Sequence, residues 1–126
     1  MKELFQGGDW AKEKHVPVIE ILSADREKGI TLKASVGKEI PHPNTTAHHI
    51  VWIDVYFKPE GSKFPYQVGR CEFTSHGASA EGADTSTVYS MPEAVLSFKT
   101  GKGGTVYASS YCNIHGLWEG MKEVRL

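Results

Sequence analysis

The sequence predicts an all-β protein, a sandwich of about seven short antiparallel strands. Three observations carry this. Apolar and polar residues alternate with a period of two in several segments, the period of a half-buried strand. Other segments are β-branched and aromatic runs of strand length. Glycine and proline turns separate them, and no stretch has the repeat of a long amphipathic helix.

Taken in order, the first strand is expected over 16–22. In the second, Leu32, Ala34 and Val36 alternate with Thr31, Lys33 and Ser35. Glu27-Lys28-Gly29 supplies the turn between them. Ile50-Val51-Trp52-Ile53-Asp54-Val55-Tyr56-Phe57 reads as a third strand, closed by Pro59-Glu60-Gly61-Ser62. Tyr66 to Phe73 alternates again as a fourth. The small, polar stretch 77–87 is expected to be an excursion loop. Strands are then expected over 94–99, 105–111 and 122–126, with Gly101-Lys102-Gly103-Gly104 as a turn.

A chain of 126 residues suits a single domain, 1–126, large enough to bury a core without disulfides. Lys plus Arg number 14 against 15 Asp plus Glu, so no global basic field exists to hold nucleic-acid phosphates. No run approaches the roughly 20 apolar residues that span a bilayer. The start, Met1-Lys2-Glu3-Leu4-Phe5-Gln6-Gly7-Gly8, lacks the apolar stretch of a signal peptide, so a cytoplasmic protein without membrane or nucleic-acid partners is expected. In a reducing compartment Cys71 and Cys112 are expected as free thiols. The Cys-Trp-Cys order of true immunoglobulin domains is absent, because Trp52 precedes both cysteines.

The chemistry concentrates in Cys112-Asn113-Ile114-His115-Gly116, where a turn can bring sulfur and imidazole to one ion. Upstream stand His15, His42 and His48. Pro41 and Pro43 stiffen the backbone around His42, which suits an imidazole that must be held in place. His48 and His49 are neighbours, and in extended chain neighbours point to opposite faces, so at most one easily joins His42. Singly, each histidine has an ordinary reading as a surface or hydrogen-bonded residue, and Cys112 as a small buried apolar one. The combination in loop and strand-edge positions favours a metal site, which spacing leaves open between iron, copper and zinc. His76 reads as a surface residue, Cys71 as structural, and Trp118 as packing that could shield the site.

Three segments in order, Glu13-Lys14-His15-Val16-Pro17, Gly37-Lys38-Glu39-Ile40-Pro41-His42-Pro43-Asn44-Thr45-Thr46-Ala47-His48-His49-Ile50 and Ser110-Tyr111-Cys112-Asn113-Ile114-His115-Gly116-Leu117-Trp118, resemble the superoxide reductases, the neelaredoxin and desulfoferrodoxin family. The resemblance implies an immunoglobulin-like antiparallel β-sandwich with one non-haem iron (Fe2+/Fe3+) per chain. It implies equatorial ligands His15, His42, His48 and His115, and Cys112 as the axial thiolate. Glu13 resembles the carboxylate that fills the sixth position on ferric iron, and Lys14 the cation beside the open position. With no cysteine before Cys71, the chain is similar to the short class that lacks a second iron. The implied reaction is one-electron reduction of superoxide to hydrogen peroxide. Rubredoxin is the implied donor and a homotetramer the implied assembly.

Two rivals follow from the ligand inventory. A cupredoxin would use two histidines, a cysteine and a weak axial methionine, for which Met121 is the candidate. A structural zinc site takes four ligands and leaves a fifth idle. The surplus of histidines and the Glu13-Lys14-His15 segment weigh against both.

Overall fold

The computed structural model describes residues 1–126. Seven strands form two antiparallel sheets: β1 (Val18–Asp25), β2 (Gly29–Ser35), β3 (Ile50–Pro59), β4 (Tyr66–Glu72), β5 (Glu93–Phe98), β6 (Gly104–Cys112) and β7 (Gly116–Val124). One sheet has the order β1-β2-β5 and the other β4-β3-β6-β7. There is no α-helix. The all-β, seven-strand expectation therefore holds, and the 77–87 stretch lies in the long connection between β4 and β5.

The core is where the alternation places it. Leu32 and Ala34 of β2 face Ile53, Val55 and Phe57 of β3 and Val106 and Ala108 of β6, all buried in one apolar cluster. Burial of such side chains contributes about 1.5–3 kcal/mol each. Cys112 is 0 % exposed and belongs to the same cluster, so the thiol is anchored at the end of the core. Cys71 packs against this cluster from β4, and both thiols are free.

The largest departure from expectation is the last strand. It was expected over 122–126 but begins at Gly116. Gly116 and Gly120 dilute its apolar pattern, and pairing decides the matter: every residue from Gly116 to Val124 is in register with β6, Cys112 opposite Gly116 and Gly104 opposite Val124. The connection is three residues, Asn113-Ile114-His115, closed by Gly116 at φ 82°. That left-handed conformation suits glycine and is the usual closure of a three-residue hairpin. The first strand likewise runs later than expected, Val18–Asp25, because residues 16–17 lead into the sheet before pairing starts.

Candidate metal centre

Three irregular segments meet at one end of the sandwich: the run into β1 with His15, the segment between β2 and β3 with His42 and His48, and the β6–β7 hairpin with Cys112 and His115. Each is held by the fold. His15 is 5 % exposed, its ring stacked on Trp118 at 4.7 Å and its carbonyl accepting from Ser110 Oγ at 3.2 Å. Gly37, at φ 92°, turns the chain towards His42; a Cβ there would lie 2.8 Å from His42 N. Asn113 ties the hairpin to the middle segment. Its Nδ2 donates to Ala47 O at 2.9 Å, and its Oδ1 accepts from His49 N at 2.9 Å.

The four imidazoles close a ring. His15–His42, His42–His48, His48–His115 and His115–His15 have centroid separations of 4.9, 4.8, 5.0 and 4.7 Å. Ligand atoms of His15, His42, His48 and Cys112 all lie within 4.8 Å of one another. His115 joins through Nδ1, 3.1 Å from His15 Nε2 and 3.8 Å from Cys112 Sγ. Two nitrogens 3.1 Å apart fit adjacent metal–imidazole bonds of about 2.1 Å at a right angle.

Tautomers and unpaired atoms agree with that use. His42 Nδ1–H donates to Pro43 O at 2.6 Å, which leaves Nε2 with its lone pair. His42 Nε2 and His48 Nε2 are buried with no hydrogen-bond partner. Buried polar atoms are rarely orphaned, and a metal ion is a sufficient partner. Burial pushes the His42 imidazolium down to about 4 and lowers that of His48, so both rings are neutral near pH 7 as ligands require. The sulfur of Cys112 accepts from His115 N–H at 3.3 Å. Four nitrogens and one buried sulfur fit iron by the chemistry of the donor set. They exceed the four ligands of a closed zinc site, and Met121, largely exposed on β7, is no axial ligand to copper.

Glu13 is not among the converging atoms. Its Oε1 accepts from His15 Nδ1–H at 2.7 Å and from His15 N–H at 3.2 Å. These bonds to His15 are the main reason its carboxyl titrates below the usual range. Glu13 thus stands behind His15 and fixes that ring with Nε2 facing the centre. Lys14 is half-buried beside it, and its positive field contributes to the lowered values of His42 and His48. His49 turns away to stack on His76, so only His48 of the pair joins the centre as expected, although His48 lies in a bend and β3 begins only at Ile50.

His76 requires a correction. It is half-buried and stacked on His49, centroids 3.5 Å apart, with ring nitrogens against Phe73 O at 2.8 Å and Asn44 Oδ1 at 3.0 Å. Nothing in the local run Thr74-Ser75-His76-Gly77 signals the long-range partners His49 and Asn44. Asn113 was equally silent, visible only as a residue inside the Cys112 turn.

The desulfoferrodoxin family profile matches residues 7–121. The chain is 58% identical over 120 residues to the superoxide reductase of Pyrococcus furiosus, covering 94% of each. It is 51% identical over 129 residues to neelaredoxin of Megalodesulfovibrio gigas, covering 100% of this chain and 98% of that one. The solved structure of superoxide reductase (neelaredoxin) from Archaeoglobus fulgidus in the reduced form superposes with a TM-score of 0.94 at 62% identity, over 98% of this chain and 99% of the other.

Proposed function

The chain belongs to the desulfoferrodoxin family, and from that premise we propose how it works as a superoxide reductase, an oxidoreductase acting on superoxide. In this reading residues 1–126 act as a single domain that holds one non-haem iron. His15, His42, His48, His115 and Cys112 would be the residues that hold it. The observation that carries the reading is the closed ring of four imidazoles beside a fully buried thiol.

The overall step adds one electron and two protons to superoxide and yields hydrogen peroxide. Iron, when bound, supplies the electron and passes from ferrous to ferric. The chain's residues set the conditions. With four imidazoles and one thiolate as donors, a ferrous ion there would carry a net charge of about +1 and attract an anion. Cys112 would donate electron density to a bound iron, and the His115 N–H on its sulfur would moderate that charge. Lys14 adds a local positive field at the approach, which draws superoxide in and stabilises it there. Glu13 accepts from His15 Nδ1–H and holds that ring, and it would be the carboxylate at hand for an oxidised iron.

Ile114 and His115 lie exposed at the hairpin tip, so a small electron carrier can approach the centre closely. We assign that role to rubredoxin, with a cytoplasmic location and a homotetrameric assembly on the same family likeness. The test is stoichiometric. Pre-reduced protein mixed with superoxide should give roughly one peroxide per superoxide consumed, without oxygen release. Half that yield with oxygen evolved would mark dismutation instead. Reduced rubredoxin should restore the spent protein at catalytic rates, and light scattering should give the mass of four chains.

A further inference from the structure

The segment that carries His42 and His48 has almost no backbone support of its own. Between residues 38 and 48 its single backbone–backbone hydrogen bond is Thr45 N–H to His48 O, 2.9 Å. From outside, Asn113 of the β6–β7 hairpin holds Ala47 and His49, and the long β4–β5 connection holds Asn44 and Thr46, where the closest fastening is reciprocal. Asp84 Oδ1 accepts from Thr46 N–H at 2.8 Å and lies 3.0 Å from Thr46 Oγ1. Asp84 N–H donates back to Thr46 Oγ1 at 3.2 Å, and His76 O stands 3.1 Å from the same hydroxyl. Asn44 adds a second tie, its Nδ2 donating to Ser90 O at 2.9 Å.

Asp84 is also the one non-glycine residue with positive φ, 57°. An L-residue occupies that region at a cost, and aspartate is among the few side chains that tolerate it. The conformation aims both its N–H and its carboxylate at Thr46, which lies between the two histidines. We propose that Asp84 is a positioning residue for the iron centre: it clamps Thr46 and thereby holds His42 and His48 in the ring. It touches neither iron nor substrate and acts through the ligand segment. The inference rests on the reading of His42 and His48 as iron ligands.

The experiment compares iron loss to excess chelator in the wild type, Asp84→Gly, Asp84→Asn and Thr46→Val, with Thr46 amide exchange and thermal unfolding measured on the metal-free proteins. Glycine keeps the left-handed backbone and removes only the carboxylate, so Asp84→Gly should fold and melt close to the wild type. It should lose iron up to about tenfold faster, the lower end of the effect of removing a group bonded directly to a metal ligand, because Asp84 acts one bond further out. Thr46 amide exchange should speed up with it. Asp84→Asn keeps an acceptor oxygen and the left-handed preference, and should recover most of the retention. Thr46→Val should resemble Asp84→Gly. If Asp84→Gly speeds Thr46 exchange yet releases iron at the wild-type rate, the clamp exists but does not position the ligands, and the proposal is overturned. Equal losses in Asp84→Asn and Asp84→Gly would also overturn it. A wild type that holds no iron at all would overturn the underlying reading of the centre, before any variant is considered.

Discussion

Glu13 and His42 show how single side chains prepare this centre. The Glu13 carboxylate on His15 Nδ1 fixes both ring orientation and tautomer. Glu13→Ala should therefore weaken iron affinity about tenfold in chelator competition, even though the carboxylate is not among the converging atoms here. His42, held at about 4 by burial against an ordinary 6.5, makes the metal-free protein sensitive to acid. Between those values the unfolded chain binds more protons than the folded one, so stability rises with pH through this window and levels off above it. His48 and His76, also lowered by burial, add in the same direction. Urea midpoints of the metal-free protein should thus climb between about pH 4.5 and 7, and less steeply in His42→Asn; a flat profile would contradict the assignment. The histidines and Cys112 were legible in the sequence because their residue types and proline-stiffened settings advertise metal chemistry. Asp84, Asn113 and His76 were not, because their roles come from partners far away in the sequence.

At the scale of elements, the site depends on segments with little regular structure of their own. Gly37 is the tightest point in the approach to His42. A methyl group there meets His42 N at 2.8 Å, and its φ of 92° is strained for any L-residue. Gly37→Ala should displace His42 and lower the iron content of purified protein, with the melting temperature of the metal-free form falling less. Strands β2, β3 and β6 were readable from alternation or β-branched runs, and their observed bounds differ from expectation by one or two residues. β7 was missed over its first six residues, 116–121, which owe their strand conformation to register with β6 rather than to their own pattern. That hairpin is what brings His115 back beside Cys112, so the element hardest to read also completes the imidazole ring.

For the molecule as a whole, a net charge of -1 supplies no long-range attraction for an anion. In the proposed reading attraction is local, from the centre itself and from Lys14 beside it. Lys14→Glu should slow the second-order reaction with superoxide by about tenfold or more, and the wild-type rate should fall as salt rises. A rate indifferent to both would remove Lys14 from the account. Fold and centre are linked through Cys112, which is at once a core residue and the sulfur of the site. The most direct test of that linkage is metal content with the visible spectrum of purified protein, wild type against Cys112→Ser. The account predicts about one iron per chain and a thiolate-to-iron band that bleaches on reduction and is absent from Cys112→Ser. Zinc or copper in place of iron, or an unchanged band in Cys112→Ser, would contradict it.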